Sequence, residues 1–528
     1  VQVKTADADL NRISLDRVLY VGGEYRAGAG QSFAIVNPAT EAVIGYGASA
    51  TDEEVDEAIA IANQVQKGWQ QLSALARAEA LHEVATELGR MKPQLAKLMT
   101  QEMGKPYKES ADEVEWCVSA LRYYAEVARH EGGKVLGPAV EGQLHYVVKE
   151  PLGVVVSILP FNYPLVLFVW QAAAALAAGN AVIVKPSLLT TKTTLLGMEA
   201  FSTLAPGLVQ CLPGDGSVGA RLTASPDTHF VAFTGGVERG QAVARACAEQ
   251  FKPILLETSG NDAFIVMPSA PMAVAVRGAL FGAFLNCGQV CTSSERFYVH
   301  ADVYDAFAEQ LVAQARTLRI GNGLDTVDIG PMASEAGRDR FEKILARAVE
   351  QGATVACGGQ RPADHSKGWF FEPTVLTNVS ADLDILKDEV FGPVASLVKV
   401  ESFEEAIEEA NRSHFGLGAT IYTQDLAEAM RATRELAVGM VWVNAPLLDN
   451  DAGPFGGKKM SGMGRELGAE GLDTFRHTKL VMIDPEAAPQ DFWWFPYADA
   501  EQYGGEVADS NGHSNGHANG HANGHSNG

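Results

Sequence analysis

Between residues 150 and 260 short apolar runs alternate with amphipathic stretches. Residues 153–158, 181–184 and 230–233 are apolar and mostly branched, the pattern of strands buried on both faces. Helical periodicity occupies residues 191–204 and 239–249. Such strand–helix–strand repetition predicts a parallel α/β sheet. A second series follows, with strands at 263–266, 296–299 and 394–400 and a helix at 304–318. Two successive series predict two lobes with a cleft between them. Upstream, residues 51–130 read as helices, and Thr51-Asp52-Glu53-Glu54 has the form of a capping box. Residues 146–149 and 479–483 are short strands outside both series. They predict a small separate sheet, suited to a subunit interface.

A length of 528 residues suits two to four domains or one large enzyme body. The net charge of -24 argues against nucleic acid and anionic membrane surfaces as partners. No apolar run approaches the roughly 18 residues of a membrane span. The first residues are polar and acidic without an apolar signal core, and the six cysteines form no paired framework. The expectation is a reduced, cytoplasmic protein. Beyond Asp484 the composition changes. Residues 492–497 form an aromatic knot that is expected to dock on a surface, such as a neighbouring subunit. His513, His517, His521 and His525 recur in an Asn/Gly-rich tail, whose glycine content predicts disorder rather than a metal site.

Candidate chemistry centres on Cys291, in the run Asn286-Cys287-Gly288-Gln289-Val290-Cys291. A lone cysteine is commonly an inert small hydrophobe. The poor core residues around this one point instead to a loop near a cleft, with backbone amides that favour the thiolate. No Cys-x-x-Cys or His-x-x-His pair accompanies it in the body of the chain, so no metal site is expected. A cysteine hydrolase would need a histidine base, and His145, His229 and His300 fall in no recognisable arrangement. Glu257 ends an apolar run, where partial desolvation raises a carboxyl toward the range of a general base; an ion-paired carboxylate is the alternative. Asn162, between Pro160 and Pro164, follows the 153–158 strand, so its amide suits an oxyanion at the strand's carboxyl end. A turn asparagine is the alternative. Two glycine-rich turns compete for a cofactor: Gly214–Gly219, a G-x-G-x-x-G match, and Thr234–Gly240, which follows a clear strand and opens a helix. Lys185 ends a strand before Pro186, a place for ribose or phosphate contact.

Together these motifs resemble the aldehyde dehydrogenase superfamily over residues 15–484. The resemblance rests on Pro160-Phe161-Asn162-Tyr163-Pro164, Val184-Lys185-Pro186-Ser187, Phe233-Thr234-Gly235-Gly236, Leu256-Glu257, the 286–291 run, Glu389-Val390-Phe391-Gly392-Pro393 and the 454–466 segment, in the family's order. It implies an α/β fold of two domains, a Rossmann-like cofactor domain and a catalytic domain, plus a small bridging sheet. The cofactor domain would take residues 13–127 and 150–257, the catalytic domain 258–455 and the bridging element 128–149 and 456–484, with 485–528 as the tail. Cys291 would be the nucleophile, Glu257 the base and Asn162 the oxyanion donor. NAD or NADP would lie along Ile158, Pro160, Lys185, Ser187, Leu188, Gly219, Phe233, Thr234, Gly235, Gly236, Glu389 and Phe391. Tyr163, Leu167, Trp170, Leu285 and Phe455 would line the substrate tunnel.

The implied reaction oxidises an aldehyde to a carboxylic acid through a cysteine thiohemiacetal and thioester, in a homodimer or homotetramer. Broad specificity for aliphatic or aromatic aldehydes is the expectation. If Asp449 and Asp451 face the tunnel, a cationic aminoaldehyde or betaine aldehyde fits better. Transfer of the thioester to coenzyme A is a further alternative, and a non-catalytic scaffold is disfavoured by the intact Cys, Glu and Asn set. The sequence departs from the family pattern at Leu188, where a ribose-binding glutamate is common. That opens the site to NADP. It departs again at Thr258-Ser259-Gly260, where little change is expected, and in the long aromatic tail.

Overall fold

The computed structural model describes residues 15–490 together with Trp494 and Phe495. The remaining residues of the aromatic knot and the whole His/Asn/Gly repeat lie outside the described residues.

Two sheets carry the α/β architecture. The first has eight strands, in the order Gly462–Met463, Ile254–Glu257, Phe230–Thr234, Val154–Ile158, Ala181–Lys185, Val209–Cys211, Val18–Val21 and Glu24–Ala27. Its five central strands are parallel. Along the chain this parallel part starts in the middle, at Val154–Ile158. It runs outward through Ala181–Lys185 and Val209–Cys211, then returns to the other side at Phe230–Thr234. The direction of winding therefore reverses between Val154–Ile158 and Phe230–Thr234. Open α/β sheets bind ligands in the crevice beyond the carboxyl ends at such a switch point.

The second sheet has seven strands: Thr354–Cys357, Thr374–Thr377, Val394–Val400, Ser294–His300, Asp262–Val266, Gly418–Tyr422 and Met440–Val443. All pair in parallel except the first. Each sheet has its own apolar core, and both belong to one compact unit formed by residues up to 132 and 149–478. The capping box opens the helix Asp52–Trp69: Glu54 N–H donates to Thr51 Oγ1 at 3.3 Å, and Thr51 N–H donates to Glu54 Oε2 at 2.8 Å.

A three-stranded sheet joins Gly133–Leu136, Leu144–Pro151 and Arg476–Ile483, with Leu144–Pro151 in the centre. The strands expected at 146–149 and 479–483 lie within it. Of residues 456–484, only those from Arg476 onward enter this sheet. The earlier part is stitched to the first sheet instead: Gly462–Met463 pairs antiparallel with Leu256–Glu257, and Thr258 N–H donates to Ser461 O at 3.0 Å. Gly462 makes that approach possible. A Cβ there would lie 2.0 Å from Leu256 O, and its φ of +131° suits glycine alone.

Candidate active site

The thiol sits on a strained loop. After the helix Met272–Phe284 the chain tightens into the short 3₁₀ segment Leu285–Gly288, in which Asn286, Cys287 and Gly288 have φ of 51°, 56° and 72°. Side-chain bonds hold this left-handed run. Asn286 Nδ2 donates to Gln289 O at 3.1 Å, Gln289 Nε2 donates to Asn286 O at 3.1 Å, and Gln289 Oε1 accepts from Ala333 N–H at 3.0 Å. Gly288 is required because a Cβ would stand 2.1 Å from Gly392 O. Gly260 is required for the same reason, 2.0 Å from Cys291 O. Thr258-Ser259-Gly260 thus keeps the one glycine that the thiol loop needs.

Cys291 remains partly exposed, while Cys287 is buried. No helix begins at Cys291; a turn leads into the strand Ser294–His300. The expected stabilisation of a thiolate by local amides is therefore corrected. Burial, and next the Glu257 carboxylate, push the Cys291 thiol well above its usual range. At rest it holds its proton.

Glu257 ends the strand Ile254–Glu257, level with Thr234 on one side and Gly462 on the other. It is buried, and neither carboxylate oxygen has a hydrogen-bond partner of ordinary geometry, although its carboxylate and the Cys291 thiol act directly on each other. Burial, then the charge of Glu466, raise its carboxyl well above the usual range. The ion-paired alternative for Glu257 is thereby excluded.

Asn162 is buried and its Oδ1 has no partner. Its main-chain carbonyl is held, accepting from Lys105 Nζ at 3.1 Å and from Asn286 Nδ2 at 3.2 Å. The last bond ties the Asn162 loop directly to the thiol loop. The structure therefore brings the three residues together: Glu257 acts on the thiol, and Asn162 is bonded to the loop that carries it.

At the switch point, Phe233, Ile158 and Lys185 lie in register on three adjacent strands. Gly219 closes over them; a Cβ there would meet Lys185 Cδ at 3.3 Å and Ile158 Cδ1 at 3.6 Å. Lys185 Nζ donates to Pro186 O at 2.8 Å and Gly214 O at 2.9 Å, and burial lowers its ammonium to about 8. Helix capping separates the two glycine-rich turns. At Gly216–Ala224 the Asp215 side chain takes the Ser217 N–H at 2.8 Å, placing an acid where an anion would bind. At Val237–Ala248 the cap is Gly236, which offers no side-chain cap, and a Cβ added there would meet nothing within 4 Å. The second turn is the one open to a pyrophosphate. Ser187 and Leu188 begin the short 3₁₀ turn after Lys185, and Pro160 follows the Val154–Ile158 strand. Gly235 packs its backbone on the Phe233 ring and donates its N–H to Glu257 O at 3.1 Å.

From the loop before the strand Val394–Val400, Glu389 Oε1 accepts the Gly260 N–H at 3.1 Å, and burial raises its carboxyl to about 7. Phe391 adopts φ of 54° and meets Phe161 edge-on at 5.9 Å. These residues fit a dinucleotide: glycine-lined backbone, an uncapped helix start, a lysine at a strand end and a carboxylate at the far side.

Tyr163, Leu167 and Trp170 share one face at the start of the helix Val166–Ala178, and Trp170 packs on Phe455 at 5.2 Å. Leu285 packs against the same core as Cys291. Exposed Trp116 lies 6.2 Å from the Tyr163 ring. Asp449 acts electrostatically on Tyr163, as do Glu109, Glu113 and Cys291. Asp449 is exposed to solvent; partial desolvation of its carboxyl, and next the charge of Asp451, raises it to about 7. Asp451 accepts from the Ser119 hydroxyl, one turn beyond Trp116 on the helix Tyr107–His130.

Several residues of the site carry no clear signal in the sequence. Gln171, fully buried, bonds the Ser157 hydroxyl, Thr234 Oγ1 at 3.1 Å and Glu466 Oε1 at 2.8 Å. Glu295 accepts Val390 N–H at 2.9 Å and Phe391 N–H at 2.7 Å, which holds the Phe391 backbone in its left-handed turn. The one hint either offers is a polar residue beside an apolar run.

A model of the aldehyde dehydrogenase family matches residues 25–481. The chain is 37% identical over 478 residues to betaine aldehyde dehydrogenase 1 of Oryza sativa subsp. japonica, covering 88% of this chain and 95% of that one. It is 36% identical over 493 residues to a chloroplastic aminoaldehyde dehydrogenase of Arabidopsis thaliana, covering 91% and 98%. Among solved structures it is similar to a point mutant of Staphylococcus aureus betaine aldehyde dehydrogenase in complex with NAD+. That match has a TM-score of 0.88 and 33% identity over 91% of this chain and 100% of the other. An NADP-dependent enzyme of E. coli gives a TM-score of 0.87 at 34% identity, covering 91% and 100%.

Proposed function

The chain belongs to the aldehyde dehydrogenase family, and from that premise we propose that it oxidises cationic aldehydes, ω-aminoaldehydes and trimethylammonio aldehydes, to carboxylic acids. It is an NAD(P)-dependent aldehyde dehydrogenase. The observation that carries the substrate reading is the pair Asp449 and Asp451: Asp449 acts electrostatically on Tyr163, and Asp451 is bonded to Ser119, one turn beyond Trp116. Acids close to the paired Tyr163 and Trp116 rings favour an ammonium group. The names of the rice and Arabidopsis relatives agree with that class.

In the proposed reaction the Cys291 thiol gives its proton to Glu257 as its sulfur bonds the aldehyde carbon. The carbonyl oxygen becomes an oxyanion, held by the Asn162 amide and the Cys291 N–H. Lys185, Gly219, the Gly236 helix start and Glu389 hold NAD(P)+, which when bound supplies the acceptor for the departing hydride. The sulfur stays bonded to carbon as a thioester. Glu257, having passed its first proton to solvent, takes another from water whose oxygen attacks the thioester carbon. The C–S bond breaks, the acid leaves and the thiol is restored. A buried base beside the thiol supports hydrolysis over transfer to coenzyme A.

Both groups have raised pKa values, so their reactive, deprotonated forms grow as pH rises. Turnover is therefore expected to climb with rising pH. A flat pH profile would count against the pairing. Asp449 gains its charge as pH passes about 7, so KM for a trimethylammonio aldehyde, whose own charge is fixed, should fall as pH passes that value.

The deciding experiment compares Asp449→Asn with the parent on a trimethylammonio aldehyde and a neutral straight-chain aldehyde. KM should rise about tenfold for the cation, the ~1.4 kcal/mol of one charge-assisted contact, and stay level for the neutral substrate. Equal effects on both would sink the cationic reading. The small sheet exposes Val135, Leu136, Leu144, Leu480 and Met482, an apolar surface that supports assembly as a homodimer or homotetramer.

A further inference from the structure

A fully buried ion pair lies beneath the Asn162 loop, and the reaction leaves it without a role. Lys105 and Glu113 both have side chains of 0% exposure and bond one another. Burying two charges is costly, and apolar replacements of such pairs are often neutral or stabilising, so stability alone does not explain this one. Its geometry does.

Lys105 Nζ donates to Asn162 O at 3.1 Å and stands 4.2 Å over the centre of the Tyr163 ring. Glu113 spends one oxygen on Lys105. With the other it accepts the N–H groups of Leu165 at 2.8 Å and Val166 at 3.0 Å. Those amides open the helix Val166–Ala178, which has no side-chain cap from its own N-cap residue. One ion pair therefore grips residues 162–166 at both ends. One turn before Glu113 on the helix Tyr107–His130, Glu109 Oε2 accepts Asn286 N–H at 3.0 Å, and Asn286 Nδ2 in turn donates to Asn162 O at 3.2 Å. Residues 105–113 thus fasten the loop of the amide and the loop of the thiol to a single stretch of backbone.

We propose that Lys105, braced by Glu113, is a positioning residue that sets the Asn162 amide against the Cys291 sulfur. The inference rests on the reading of Asn162 as oxyanion donor. Lys105 touches neither substrate nor cofactor in this role. It fixes the carbonyl of Asn162, and through it the direction of the side-chain amide. Misplacement of a reacting group by about 1 Å can cost about 10²-fold in rate, so loss of this brace should appear in kcat while KM hardly moves.

Lys105→Met alone would leave the Glu113 charge buried and unpaired, so the test uses Lys105→Met/Glu113→Gln. That pair of changes removes both charges and keeps an oxygen to accept from Leu165 and Val166. Steady-state kinetics are measured for this variant, for Asn162→Ala and for the three changes combined. The expected result is a kcat about 10- to 100-fold below the parent, with KM within about twofold. In the Asn162→Ala background the further loss should nearly vanish, since the group being positioned is gone. A purely structural role would instead give the same fold-loss in both backgrounds. That multiplicative result, or a charge-free variant as fast as the parent, overturns the proposal. If Asn162→Ala itself retains full kcat, the oxyanion reading fails and takes the inference with it. Should the Met variant be recovered unfolded, Lys105→Gln/Glu113→Gln, which keeps a polar chain at the site, is read by the same criteria.

Discussion

Cys291→Ala is expected to lower aldehyde-dependent NAD(P)H formation by about 10⁴-fold or more, as loss of a nucleophile does in other covalent catalysts. No other sulfur can take over. Cys287, four residues earlier, is buried, and burial pushes its thiol far up. Cofactor binding should persist, because Lys185, Gly219 and the Gly236 helix start lie on the first sheet, and Cys291 follows the loop that leads into the second. Titration of intrinsic tryptophan fluorescence with NAD+ and NADP+ checks this. A variant that keeps more than about a tenth of parental turnover would remove Cys291 from the chemistry.

The second large effect is expected from Glu257→Gln. A glutamine fills the same space without a charge, and beyond the Cys291 thiol the native carboxylate oxygens have no hydrogen-bond partner to lose. The variant should fold at least as stably as the parent, since a carboxyl that burial, and next the charges of Glu466, Glu389 and Asp262, hold above its usual range is replaced by a neutral amide. Steady-state turnover should nevertheless fall by about 10² to 10⁴, the range for loss of a general base. Rapid mixing should show one NAD(P)H per active site, formed more slowly than in the parent because Glu257 no longer takes the thiol proton, followed by near-arrest at the step that needs water. Turnover at the parental rate without a burst would assign the base elsewhere.

Much of this site was legible in the sequence because its reactive residues end strongly patterned elements. Asn162 and Glu257 each follow a run of branched apolar residues, and Cys291 follows a small-residue helix, so their placement at strand and helix ends required only periodicity. Lys105 and Glu113 were illegible for the opposite reason. A Lys and a Glu on a helical stretch read as a solvated face, and only the packing of residues 162–166 against them reveals that they are buried. The direction of the thiol's shift was also hidden. Nearby glycine and amide residues suggested a stabilised thiolate, whereas burial, and next the Glu257 carboxylate, push the thiol up. The two-residue strand Gly462–Met463 has no pattern of its own; it exists because Gly462 lets one backbone approach another. Residue 391 carries a phenylalanine in a glycine-like conformation, a choice imposed by Glu295 from a distant strand.

The central claim is that one sulfur, one carboxyl and one amide act on a single carbonyl carbon. Its most direct test is peptide mass spectrometry of Glu257→Gln after incubation with a trimethylammonio aldehyde and NAD(P)+. The account predicts that the peptide containing Cys291 gains the mass of the acyl group as a thioester, and that Asn162→Ala in the same background slows its appearance. An unmodified Cys291 peptide, in a sample that has produced NAD(P)H, would contradict it.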